Sequence, residues 1–185
     1  MGDSQSIPSI ARLQILIEEA WAAGFDVEGK NQLRGQLFKT QKWIGTSEVF
    51  AVLTANRIKV QLLDFQSEDG THPKLIKWVV DYFQKHSLPQ RFPIFLQMKG
   101  HSFTIIGVEV FPDESQPNLI VFDPSHTKAH MALFDGKGRN DDSLNLLRKT
   151  ANTLNSNHFQ IVAVTGLYNN KEEAAAQKVI SYTRA

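Results

Sequence analysis

Cysteine is absent from the 185 residues of this chain. That absence excludes disulfides, thiolate metal sites and any thiol nucleophile supplied by the chain itself. Charge of one sign is lacking too, because 20 basic and 19 acidic residues are mixed along the sequence and leave a net charge of +1. Without a basic face there is no electrostatic footprint for nucleic acid or an anionic membrane, so no nucleic-acid partner is expected. No apolar run approaches the roughly 18 to 20 residues of a membrane span, and the polar start Met1-Gly2-Asp3-Ser4-Gln5-Ser6 holds no signal-peptide core. These readings predict an intracellular protein, cytoplasmic or nuclear, with no membrane span. Phosphate-binding loops are missing as well: Gly136-Lys137-Gly138 lacks P-loop spacing and no Gly-x-Gly-x-x-Gly fingerprint occurs. No cofactor is expected.

What is present is an ordinary globular composition, 42% hydrophobic and 21% charged, long enough for one sizeable core. A single domain over 1–185 is predicted, with residues 1–6 as a flexible lead and 168–185 as a C-terminal helix or tail. Ser6-Ile7-Pro8 suits a helix entry, with Ile10, Leu13, Ile17, Ala20 and Trp21 as the inner stripe and Gly24 as its end. Residues 25–43 read as an irregular connection with at most a short helix. Thr46 or Ser47 can cap a mostly apolar second helix through Val49 to Leu53. Ile58 to Phe65 reads as a strand, and His72-Pro73 opens a third helix whose inner stripe is Leu75, Ile76, Val79, Val80 and Phe83.

The centre of the chain is Pro93 to Pro124, where apolar, β-branched and aromatic runs are punctuated by Gly100 and by the loop from Pro112 to Pro117. Adjacent antiparallel strands follow. Residues 125–140 read as a loop, Asp141 or Asp142 as the cap of a short helix, His158 to Val164 as a last strand, and Lys171 to Tyr182 as a terminal helix. Helices that precede and interrupt an antiparallel meander give an α+β class.

Within that centre, His101 opens a strand and Asp123 closes the next, directly before a Pro that cannot extend the ladder. If the strands are neighbours, the imidazole and the carboxylate meet at the rim of the sheet, as a base and its orienter do. Gln97 is a third polar group nearby, able to serve as an oxyanion or positioning residue. A His beside an Asp on neighbouring strands is also a common structural pair, so spacing alone leaves both readings open. A rival, Asp123-x-x-His126-x-x-x-His130, sets two His four apart as in zinc sites, but its loop has no helical pattern, and no metal is expected. Ser102 as a nucleophile is disfavoured because adjacent strand residues point to opposite faces and no Gly-x-Ser-x-Gly elbow exists.

Five segments in register carry a family resemblance. Trp43-Ile44-Gly45-Thr46-Ser47-Glu48-Val49, Ile58 to Phe65, Gly70-Thr71-His72-Pro73, Leu96-Gln97-x-x-Gly100-His101-Ser102-x-Thr104-x-x-Gly107 and Asp123-Pro124 together resemble the cysteine proteases specific for ubiquitin and the ubiquitin-fold modifier, closest to their zinc-finger-bearing, ZUFSP-like deubiquitinase branch. The similarity runs from about Ile7 to about Gly166. It implies a papain-like fold, incomplete at the N-terminus, with a central antiparallel sheet flanked by helices, and a thiol protease that hydrolyses isopeptide bonds.

The same resemblance implies that His101 is the general base and Asp123 its orienting carboxylate. His126 is the alternative base, because related proteases use an Asp-Pro-His arrangement. Phe103 and Ser125 depart from the Arg and Gly of the closest branch. The nucleophilic Cys has no counterpart in this sequence. Two expectations follow: a deubiquitinase or ubiquitin-like-modifier protease domain without its nucleophile segment, or a catalytically inactive pseudoprotease that binds ubiquitin, polyubiquitin, a ubiquitin-fold modifier or another protein. A missing core helix would leave an exposed apolar groove beside His101, through which the chain could associate.

Overall fold

Ser9 accepts the Arg12 N–H on its hydroxyl at 3.2 Å and so starts α1 (Ile10–Ala22) just after the Pro8 entry. Gly24, at φ +90°, ends it in the left-handed conformation that costs glycine nothing. The structure is a computed structural model that describes residues 7–84, 91–113, 116–132 and 144–184. The chain divides into two compact units, Met1–Val60 with Thr165–Ser181, and Gln61–Val164 with Tyr182–Ala185.

In the first unit, Ile17, Ala20 and Trp21 of α1 pack with Phe25, Leu37 and Ala51. Ile10 and Leu13, expected on the same stripe, are instead 78% and 40% exposed. The carboxylate of Glu18 accepts the N–H groups of Leu37 and Phe38 at 2.6 and 2.7 Å, and Gln14 accepts from Lys39 N–H and donates to the Thr40 carbonyl, which lays that segment along α1. A short helix, α2 (Val27–Gln32), lies in the connection. For α3 (Thr46–Ala55) the cap is Gly45 rather than Thr46 or Ser47, because Glu48 reaches back to accept the Gly45 N–H at 2.7 Å and both hydroxyl residues fall inside the first turn.

The second unit holds most of a mixed sheet. Its strands are β1 (Ile58–Gln66), β2 (Ile94–Met98), β3 (His101–Glu109), β4 (Asn118–Phe122), β5 (Arg148–Thr150), β6 (His158–Leu167) and β7 (Thr183–Arg184), in the order β5-β4-β3-β2-β6-β1-β7. From β5 to β6 in that order neighbouring strands pair antiparallel, whereas β1 and β7 run parallel. Leu63, Phe65, Ile94, Leu96, Phe103, Ile105, Val121, Phe159 and Ile161 form the buried core with Leu75, Ile76 and Val79 of α4 (Pro73–Gln84). The α4 stripe is the amphipathic pattern of the sequence, with Lys77 and Asp81 paired on its outer side.

Two departures lie in the later part of the described chain. The helix expected over Lys171 to Tyr182 is α6 (Lys171–Ala175) only. Beyond it the Lys178 carbonyl accepts the Asp26 N–H at 3.0 Å instead of continuing a helical ladder, and Thr183 and Arg184 then pair with Leu63 and Asp64 as β7. A short helix, α5 (Lys128–Ala132), also forms in the segment expected to be loop. The cap expected at Asp141 or Asp142 lies outside the described residues.

Candidate active site

Lys99 and Gly100 connect β2 to β3, with Gly100 at φ +74° and Met98 directly opposite His101. This tight turn sets the alternation of β3: Phe103 and Ile105 enter the core, and His101 lies on their side at the strand's first position. Thr104 is paired with Phe122 and Ile105 with Val121, so Asp123 leaves β4 beside Phe103, on the same face as His101. Pro124 stops the ladder there. The sequence thus brings an imidazole and a carboxylate to one corner of the sheet by two chain signals, a glycine turn and a proline stop.

His101 Nε2 lies 2.8 Å from Asp123 Oδ1. The Asp123 side chain is 6% exposed and that of His101 is 32% exposed. Oδ1 also accepts the Ser125 N–H at 2.9 Å and the Ser125 hydroxyl at 2.7 Å, while Lys149 Nζ lies 3.3 Å from Oδ2. Burial pushes the Asp123 carboxyl up, but the hydrogen bonds from Ser125 and His101 and the charge of His101 outweigh it and hold the group well below the usual carboxylate range. Asp123 is therefore an anion at neutral pH and takes an N–H from His101. With Nε2 so engaged, Nδ1 is the nitrogen left to act as a base.

The remaining candidates fall elsewhere. Gln97 is paired with Ser102 and with Gln160, so its side chain belongs to the face of the sheet opposite His101, and the structure does not bring it to the His101–Asp123 pair. His126 donates its backbone N–H to the Asp123 carbonyl at 3.0 Å, but its ring meets His130 edge-on, 5.9 Å between centroids, and its buried Nδ1 has no hydrogen-bond partner. Among the described residues no group of three or more His, Asp or Glu side chains is placed to hold a metal ion. None of the described helices is long and apolar enough to cross a membrane.

A recess of about 420 Å³ opens beside Asp123, lined by Ser102, Phe103, Thr104, Phe122, Pro124 and Met131. Phe122 and Met131 are 45% and 36% exposed there. A larger groove of about 920 Å³ lies over the start of α4, between His72, Ile76, Val80 and Leu154, and does not include the pair. The smaller recess is the one that Asp123 lines.

Sequence reasoning noted Ser125 only as a departure from the family pattern, without its bonds to Asp123, and missed Lys149. The first had a local signal, since an Asp two residues before a hydroxyl residue is the pattern of an Asx turn. The second had none, because Lys149 is paired with Leu119 on another strand and reaches Asp123 only through the fold.

Comparison with known proteins adds the following. A family model described as peptidase family C78 matches residues 2–162. The zinc finger-containing ubiquitin peptidase 1 of Mus musculus is 34% identical over 183 residues, covering 94% of this chain and 32% of that protein. Its Homo sapiens counterpart is also 34% identical, over 182 residues, covering 93% and 31%. The ubiquitin carboxyl-terminal hydrolase mug105 of Schizosaccharomyces pombe is 36% identical over 118 residues, covering 62% of this chain and 46% of that one. The chain thus spans about a third of the length of the ubiquitin peptidases 1 that it matches. Among solved structures, UfSP from C. elegans superposes with a TM-score of 0.53 at 13% identity, over 88% of this chain and 26% of that one. The shared fold is the α+β arrangement of a papain-like cysteine protease.

Proposed function

Because the chain belongs to peptidase family C78, we propose that it carries the base and the orienter of a thiol-dependent protease acting on ubiquitin or a ubiquitin-like modifier. The observation that supports this most is the 2.8 Å contact between His101 and a buried, anionic Asp123. In the proposed mechanism Asp123 holds the imidazole as the Nε2–H tautomer. Nδ1 takes the proton of a nucleophilic thiol, and the imidazolium later returns a proton to the leaving amine. His101 is preferred to His126 as the base, since its ring already engages the carboxylate. Relatives named as ubiquitin peptidases at 34% identity favour ubiquitin or polyubiquitin over the ubiquitin-fold modifier as the partner.

The thiol is the part that these 185 residues do not supply, since none of them is Cys. This favours a second reading for the chain by itself, in which it binds a modifier without cleaving it. Calorimetric titration with ubiquitin, diubiquitin and the ubiquitin-fold modifier, followed by incubation with a fluorogenic ubiquitin substrate, tests both statements. Saturable binding to ubiquitin or diubiquitin is expected, with no hydrolysis above a His101→Ala control. Failure of all three to bind would overturn the modifier assignment. Hydrolysis above the control would overturn the absence of a nucleophile.

A further inference from the structure

The two oxygens of Asp123 are unequally loaded. Oδ1 accepts from three donors, His101 Nε2, the Ser125 N–H and the Ser125 hydroxyl, whereas Lys149 is the cation at Oδ2. A buried carboxylate free to turn about its Cβ–Cγ bond would spread such donors over both oxygens, because one oxygen has room for about two of them along its lone pairs. Turning would carry Oδ1 away from His101. Something must hold the uneven arrangement, and the ammonium group at Oδ2 is placed to do so.

Lys149 is itself seated. Its Nζ lies 4.7 Å from the centroid of the Phe103 ring, on which a cation is favoured by the ring's quadrupole. The same Phe103 ring meets the His101 imidazole at 4.6 Å and 68°, an edge-to-face contact. His101 touches Asp123, Asp123 touches Lys149, Lys149 covers Phe103, and Phe103 returns to His101. The four side chains close a ring of contacts drawn from β3, β5 and the residue after β4.

We propose that Lys149 is a positioning residue for the His101–Asp123 pair: seated on Phe103, it pins Asp123 Oδ2 so that Oδ1 stays on His101 Nε2 and the imidazole is confined to the tautomer whose Nδ1 is free. This rests on the base and orienter reading given above, but it concerns the resting pair and needs neither modifier nor thiol. Lys149 touches no reacting atom; it acts through Asp123.

The test is long-range ¹⁵N–¹H spectroscopy of the intact chain, labelled at histidine, at pH 8.5, comparing the unsubstituted protein with Lys149→Met, Lys149→Arg and Phe103→Leu. The His101→Gln variant assigns the resonance. In the unsubstituted chain His101 should show one tautomer, Nε2–H. Lys149→Met should give a mixture, with the Nδ1–H form rising by several-fold, and Lys149→Arg, which keeps a cation and can keep the seat on Phe103, should restore the single form. Phe103→Leu removes the seat and should give an intermediate mixture, and it serves in place of Lys149→Met should that variant fail to fold. A simple loss of packing would lower the melting temperature without changing the tautomer ratio. A single Nε2–H form in both the unsubstituted chain and Lys149→Met, or in Phe103→Leu where it stands in, would overturn the role of Lys149 alone. A mixture already present in the unsubstituted chain would overturn the base and orienter reading itself.

Discussion

Replacing Asp123 by Asn tests how much the corner of the sheet depends on a charge. The amide keeps one acceptor oxygen, so it can still accept from Ser125 and His101 if that oxygen takes the place of Oδ1. Its NH₂ group then faces Lys149 Nζ, donor against donor, across the 3.3 Å now spanned by an ion pair. The reverse orientation is worse, since three donors would meet an NH₂. Hydrogen bonds to a charged group contribute about 1.5–3 kcal/mol and neutral ones about 0.5–1.5. Losing the charge beneath two or three such bonds therefore costs about 2–3 kcal/mol at this site, which is 6% exposed.

The pH dependence separates this from a packing defect. The folded protein holds the Asp123 carboxyl below its unfolded value, so its contribution is fully present above about pH 4 and is lost as pH falls towards the folded pKa. Urea unfolding followed by the fluorescence of the three tryptophans, of which Trp78 packs against the same core, should show Asp123→Asn less stable by about 2–3 kcal/mol at pH 7. The gap should narrow steadily as pH falls from about 4 towards 2. A gap that is the same at every pH, or absent at pH 7, would refute the reasoning.

Glu48 should behave with the opposite sign. Burial raises its carboxyl in the folded state although the Gly45 N–H bonds to it, so its favourable contribution is present at low pH and lost as pH rises through the folded pKa. Glu48→Gln, which keeps the acceptor, should match the parent chain in urea unfolding at pH 4 and exceed it at pH 8; equal stability at both would contradict this. Gly100→Ala should destabilise the chain by about 1–2 kcal/mol through its left-handed φ alone, because a Cβ there meets nothing within 4 Å. Gly107→Ala, where a Cβ also meets nothing within 4 Å and the φ is not positive, is the control and should be close to neutral in the same assay.

The meeting of His101 and Asp123 was legible because its signals are local. A glycine turn before His101 and a proline after Asp123 fix where two strands begin and end, and alternation does the rest. Gln97 shows the limit of that reading. Its face depends on the length of the β2–β3 turn: with two residues, Met98 meets His101 and Gln97 meets Ser102, whereas a three-residue turn would change that register. Lys149 could not be read at all, since the contact joins residues far apart in sequence and neither sits in a pattern that signals the other. The helix expected at the C-terminus failed for a related reason. The helical propensity of Lys171 to Lys178 is real, but the Lys178 carbonyl is claimed by Asp26, more than a hundred residues away in sequence. Ile10 and Leu13 had the right spacing for burial, yet α1 buries only its later turns.

The most direct measurement is the effect of a modifier's C-terminal tail on His101. With histidine-labelled chain, intact ubiquitin should shift the Nδ1 resonance of His101 while Nε2–H stays on Asp123, and ubiquitin trimmed of its last residues should bind without that shift. Identical spectra with the intact and the trimmed modifier, or a shift confined to His126, would contradict the assignment of His101 as the base at a modifier-processing site.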